Sequence, residues 1–187
     1  MNWRSPILRD VYRLLLWTGV VVLAYVGGAA AYADAYQRYQ SWEFQQAVST
    51  GVPATADLHE GDLVGKLEIP RIGLSVMVLQ GMEERTLAVG AGHVPGTPLP
   101  GLGGNVVIAA HRDTFFRKLK DIVPGDRIRV SVAARKYEYK VVSTEILDPA
   151  DAWVMASAHT FEELTLVTCY PFYFVGGAPK RFIVHAR

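Results

Sequence analysis

Seven short runs rich in valine, isoleucine and tyrosine fill the last two thirds of this chain: LVGKLEIP, LSVMVLQG, NVVIAAH, DRIRVSV, KYEYKVVSTEIL, ELTLVTC and KRFIVHA. Several alternate polar and apolar residues, as in Arg127-Ile128-Arg129-Val130 and Lys136-Tyr137-Glu138-Tyr139-Lys140-Val141. That is the period of a strand with one buried face. Gly, Pro and Asp punctuate the runs at Pro70-Arg71-Ile72-Gly73, Pro124-Gly125-Asp126 and Asp148-Pro149, where a chain readily turns. Seven or eight such strands in about 125 residues predict a closed or sandwich-like all-β domain over residues 62–187. Short helical pieces are expected around Glu83–Ala88, Thr114–Leu119 and Asp151–Ser157.

Ahead of this domain the composition changes. Leu14 to Ala31, LLLWTGVVVLAYVGGAAA, holds no charged residue and has about the length needed to span a bilayer. Tyr12 and Tyr32 near its ends suit the membrane interface. Arg4, Arg9 and Arg13 precede it against the single acid Asp10, so the positive-inside bias puts residues 1–13 in the cytoplasm and the rest outside. Ala31-Tyr32-Ala33 has the form of a signal-peptidase site, but the stretch is longer than the 7–15 residues of a usual signal-peptide core. An uncleaved anchor over residues 14–32 is therefore expected. Residues 33–61 then read as a polar helical stalk followed by a linker with Gly51 and Pro53.

A formal charge of +1 over 187 residues supplies no basic stripe, which argues against a nucleic-acid partner. One cysteine rules out an intramolecular disulfide, so apolar burial must hold the domain together. The five histidines, at 59, 93, 111, 159 and 185, show no compact ligand spacing, and no metal site is expected.

The lone thiol is Cys169, at the end of Leu164-Thr165-Leu166-Val167-Thr168 and just before Tyr170-Pro171. Free cysteines are usually buried and inert. Proline cannot continue a central ladder, however, so this one stands where a strand leaves its sheet and opens on a rim. No helix start is at hand to activate it, so a neighbouring base or cation must do so. His111 ends the run Asn105–Ala110 and occupies a comparable strand-end position. His93 sits in the glycine-rich stretch Gly90-Ala91-Gly92-His93, read as a loop. Arg181, beside Lys180 at the start of the last run, is either an exposed edge charge or a guanidinium aimed at an oxyanion.

Taken in order, the apolar N-terminal segment, GAGHVPGTPLPG, NVVIAAHRD, TLVTCYPF and KRF in the last run resemble a sortase, a cysteine transpeptidase of bacterial cell surfaces. The resemblance covers about Leu63 to Ala186 and includes the T-L-x-T-C pattern at Thr165–Cys169; the last third looks most like the class D branch. It implies a closed eight-stranded β-barrel with short helices behind a transmembrane helix. It also implies Cys169 as nucleophile, His111 as general acid and base, and Arg181 as the group that holds substrate and oxyanion. His93 and Thr168 would support the pocket, and the apolar loop with Tyr170, Phe172 and Phe174 would grip a Leu-Pro pair.

The implied donors are surface proteins with C-terminal LPxTG-like signals, and the implied acceptor is an amine on a peptidoglycan precursor or a pilin lysine. No cofactor is expected; some relatives use calcium, but no acidic loop with ligand spacing occurs here. Two other readings compete. A papain-like hydrolase would carry its cysteine ahead of its histidine, opposite to the order here. A membrane-anchored β-barrel binding module would leave Cys169 buried or far from His111.

Overall fold

Alternation in the β-rich runs becomes a closed barrel in the computed structural model, which describes residues 6–50, 58–151, 162–174 and 176–187. Its eight strands are β1 (Leu63–Ile69), β2 (Leu74–Gln80), β3 (Ala91–His93), β4 (Asn105–Ala109), β5 (Arg127–Val132), β6 (Arg135–Leu147), β7 (Glu163–Tyr170) and β8 (Lys180–Ala186). They close in the order β1-β2-β3-β4-β7-β8-β6-β5. Two pairings, β2 with β3 and β4 with β7, are parallel, and the others are antiparallel. Closure removes exposed strand edges, which explains how apolar runs of this length stay out of intermolecular ladders.

Side chains facing inward form one core, including Leu67, Ile69, Val76, Ile108, Leu166 and Val184. Along β5 the sequence alternation is realised directly: Ile128 and Val130 are buried while Arg127 and Arg129 are exposed. β4 and the first six residues of β7 are buried on both faces. A second cluster, Val107, Ala109, Val167 and Ile183, covers their outer side with Met82, Val94 and Leu147 packed against it. This double burial accounts for the continuous apolar character of NVVIA, where a one-sided strand would alternate.

β3 lies where the sequence suggested a glycine loop. Its neighbours make it a strand: Val78–Gln80 pair on one side, Ala109 and Ile108 on the other. The glycine has a local reason, since a Cβ on Gly92 would stand 2.1 Å from the Gly81 carbonyl oxygen. Of the short helices expected, α2 spans Glu84–Val89 and a 3₁₀ turn spans Arg117–Asp121. The third, beyond Asp151, falls outside the described residues.

The N-terminal helix α1 runs unbroken from Pro6 to Thr50, and its stretch Leu8–Trp42 is long and apolar enough to cross a membrane. It also touches the barrel. Gln37 Oε1 accepts a hydrogen bond from the Met77 backbone N–H at 2.8 Å, and its Nε2 donates to the Val89 carbonyl. The β2–β3 pairing begins only at Val78, so one carboxamide serves backbone groups just beyond the end of the ladder.

At the far end of β1, Arg71 holds Asp126 in a two-point ion pair, with Nη2 to Oδ2 at 2.7 Å, and Asp126 also accepts from the Val123 N–H at 2.9 Å. The Arg71 bond, with the Val123 N–H behind it, lowers the Asp126 carboxyl below its usual value against the opposing cost of burial. A carboxylate lowered on folding stabilises above its unfolded value, and that stabilisation is lost as pH falls through the folded value. Asp126→Asn is therefore expected to lower the melting temperature at pH 7. The gap to the native protein should narrow steadily as the melts are repeated below pH 4.

Candidate active site

Strand register builds the site from three adjacent strands. β4 runs beside β7 with Val107 opposite Thr165 and Ala109 opposite Val167. β7 runs against β8 with Val167 opposite Ile183 and Cys169 opposite Arg181. Past Ala109 the chain stays alongside β7: the Ala110 N–H donates to Val167 O at 3.2 Å, and Thr168 Oγ1 donates to Ala110 O at 2.7 Å. His111, two residues beyond Ala109, thus comes level with Cys169, two residues beyond Val167. The result is one row, His111–Cys169–Arg181, across the same end of three neighbouring strands.

Side chains two apart on a strand share a face. Cys169 and Arg181 accordingly share the side of Val167 and Ile183, the outer face of the barrel, above the second apolar cluster. Near His111, Glu84 Oε1 of α2 stands 3.8 Å from the histidine Nε2, and Met82, just before α2, packs on the second cluster. Cys169 and His111 are half-buried, open enough to meet a ligand. Arg181 is also half-buried, and its Nη1 bonds to the carbonyls of Ala178 at 3.2 Å and Lys180 at 3.1 Å. Those two bonds fix the guanidinium while using one nitrogen of the fork.

The other candidates lie elsewhere. Thr168, buried at 2 % exposure, faces the interior and joins the ends of β4 and β7. Tyr170 shares that face, and its ring meets Phe172 and Phe182 at centroid distances of 5.9 and 6.3 Å. Phe172 packs edge-on to Phe182 at 5.2 Å and rests on the main core, so this aromatic group plugs the barrel end. Phe174 is exposed beside the Arg112 guanidinium, 5.9 Å from its ring. His93 pairs with Ile108 on the core side, with Nδ1 2.8 Å from the Gln80 carboxamide and Nε2 3.1 Å from both Pro98 O and Thr97 Oγ1. Burial lowers its pKa, partly opposed by the bond to Pro98. A neutral imidazole there pins the loop after β3.

Three groups at the site escape sequence reasoning. Arg112 is buried and donates to the carbonyls of Phe174 and Gly176 at 2.7 and 2.9 Å, stapling the β7–β8 loop to the residue beside His111. Its only signal was its place after a strand-end histidine. Glu84 gave none, because a contact with His111 depends on how α2 folds back. The floor of Ala109, Val167 and Ile183 was written in the strand parity, two and four residues from the row. Among the described residues no group of acids, histidines and cysteine is arranged to hold a metal.

A closed eight-stranded barrel thus carries the lone thiol opposite Arg181, with His111 just past the end of the strand beside it, a candidate cysteine-centred site on an all-β scaffold. The family model of the Sortase domain matches residues 67–187, and the chain belongs to the sortase family. It is 37% identical over 127 residues to Sortase D of Bacillus subtilis, covering 68% of this chain and 64% of that relative. The chain thus spans just under two thirds of the length of that relative. Among solved structures, the Clostridium perfringens Sortase D5 transpeptidase has the same fold at TM-score 0.67 and 23% identity, over 82% of this chain and 96% of the other. The pilus-related Sortase C of Group B Streptococcus is similar at TM-score 0.60 and 27% identity, over 69% and 68% of the two chains.

Proposed function

We propose that this protein is a membrane-anchored cysteine transpeptidase that cuts an LPxTG-type sorting signal after its threonine and transfers the acyl group to an amine. The observation that carries the reading is the single row His111–Cys169–Arg181. Cys169 lies opposite Arg181 across β7 and β8, and His111 follows the end of β4, which pairs with β7; this supports a nucleophile, a proton carrier and a cation acting together.

The chemistry follows from those positions. The Cys169 thiolate attacks the threonine carbonyl carbon, forming a C–S bond and a tetrahedral oxyanion. Arg181 donors meet the developing charge, where one preorganised donor contributes on the order of 3–4 kcal/mol. His111 gives its proton to the departing glycine nitrogen as the C–N bond breaks, leaving a thioester. A second amine, from a peptidoglycan precursor or a pilin lysine, then attacks that carbonyl. His111 takes the amine's proton and Cys169 leaves as thiolate. Met82, Val94 and Leu147, partly buried over Val107, Ala109, Val167 and Ile183, offer the apolar contact that the leucine and proline of the signal require. With α1 as an uncleaved span and its N-terminus cytoplasmic, this face works on the extracytoplasmic side.

The full-length protein in detergent, incubated with peptides containing variants of the LPxTG core and with triglycine, tests the reading by mass spectrometry. The expected product is the peptide joined through its threonine to triglycine. Only the free threonine acid, with triglycine in excess, would make the protein a hydrolase. No consumption of any peptide would sink the enzymatic reading and favour a binding module.

A further inference from the structure

The loop between β7 and β8 joins two strands that are hydrogen-bonded neighbours, so its shortest course lies over those two alone. Its middle instead crosses to the other side of β7, where β4 lies. Arg112, just past the end of β4, donates from Nη2 to the carbonyls of Phe174 at 2.7 Å and Gly176 at 2.9 Å. Its guanidinium also stands 5.9 Å from the Phe174 ring. Further along the same segment, Lys120 donates to the Tyr173 hydroxyl at 2.8 Å, and the Arg117 guanidinium stands 6.0 Å from that ring. Tyr173, Phe174 and Gly176 are thus fastened to the chain that leaves β4, the chain that carries His111.

Stability does not explain the arginine at this position. Arg112 is 8 % exposed. Its partners among the described residues are two carbonyls and a ring face, and its Nη1 is buried without an acceptor. A buried cation without a counter-charge costs stability, and an unpaired buried donor adds to that cost. Phe174 and Gly176 are exposed, so water would satisfy their carbonyls if the arginine were gone. An apolar side chain of similar length would fill the site at lower cost. What the arginine adds is a fixed course for the loop.

We infer that Arg112 is a positioning residue that holds the β7–β8 loop as a wall on the His111 side of Cys169, and that this wall favours an amine over water at the thioester. The second clause rests on the transpeptidase reading proposed above. In that reaction His111 serves both nitrogens: the leaving glycine nitrogen takes its proton, and the incoming amine gives one back. Both nitrogens therefore pass on the side that the loop covers. In transfer, the amine nitrogen bonds to the threonine carbonyl carbon, the C–S bond breaks, and a proton goes to His111. Water follows the same course through its oxygen and releases the free threonine acid. An amine arrives as the end of a chain that a fixed wall can align, whereas water needs no alignment and is only excluded.

Arg112→Met keeps an unbranched buried stem and removes every donor. Hydrogen exchange of the full-length protein in detergent, read by mass spectrometry, tests the staple without any turnover. In the variant the β7–β8 loop should exchange faster, including the Phe174 N–H that bonds to Pro171 O at 3.3 Å. β4 and β7 should keep their protection, and the melting temperature should hold or rise. Arg112→Lys, with its charge and its donors, should restore part of the loop's protection. Equal loop exchange in the native and Arg112→Met proteins would overturn the inference. Lost protection throughout the barrel would make Arg112 a folding residue and overturn it as well.

The partition is read from the products of an LPxTG peptide and triglycine. The ratio of triglycine-joined peptide to free threonine acid does not depend on how fast the thioester forms, so a change in acylation leaves it untouched. Arg112→Met should lower that ratio by about tenfold or more, the scale on which a small misplacement acts, and Arg112→Lys should fall between the two proteins. An unchanged ratio in a variant whose loop exchanges faster would overturn the partition clause. No thioester in the native protein, or free acid alone with triglycine in excess, would instead strike the transpeptidase reading and that clause with it. Hydrogen exchange would still decide the staple.

Discussion

Cys169→Ala is expected to abolish transfer of the LPxTG peptide to triglycine, with a loss of roughly 10⁴–10⁶-fold, the scale seen when a covalent nucleophile is removed. In the proposed reaction the thioester carries both halves, which leaves neither cleavage nor transfer another route through this site. Mass spectrometry of the native protein quenched with peptide should show a covalent adduct at Cys169 that is missing from the variant. The variant should keep its melting temperature within a few degrees. Cys169 lies half-buried at a strand end, and the ladder bonds there belong to the backbone. Retained turnover in a well-folded Cys169→Ala protein would move the chemistry to another part of the chain.

The second large effect belongs to His111. His111→Ala should slow the reaction by about 10²–10⁴-fold, the usual contribution of a positioned acid–base group. A glycine amine leaves poorly without a proton, so the loss should fall on formation of the thioester. A peptide whose scissile amide is replaced by an activated ester tests this, because its leaving group needs little help from an acid. At least tenfold of the lost rate should return in His111→Ala with the ester, while Cys169→Ala should stay inactive on both. An equal deficit on amide and ester would assign His111 a structural role instead.

The strand ends that carry Cys169 and His111 were legible because the signals that stop a strand are local. Pro171 cannot donate to a ladder, and His111-Arg112-Asp113 follows an apolar run that has reached its end. The sides of the sheet were not legible in the same way. Tyr170 and Phe172 look like pocket walls in a linear reading, yet parity puts Tyr170 with Thr168 on the inner side. Phe172 then finds a better place against Phe182 and the core. His93 behaves likewise: its three-residue strand exists only because β2 and β4 lie on either side, and three residues with a glycine carry no strand signal of their own.

Taken alone, the sequence determined an all-β domain behind an apolar segment of membrane-spanning length, the residue types a thiol-centred site needs, and the order in which they occur. Periodicity, proline and charge act over a few residues, so they can be read without the fold. Tertiary structure decided which residues meet. The parallel pairing of β4 with β7, separated by two intervening strands in the chain, levels His111 with Cys169. The antiparallel return of β8 adds Arg181, and α2 brings Glu84 to the histidine. Gln37 joins the N-terminal helix to the barrel across 40 residues of chain to Met77 and 52 to Val89. Such contacts depend on long loops closing in one register, and that register is set by the burial of the whole core rather than by any local run.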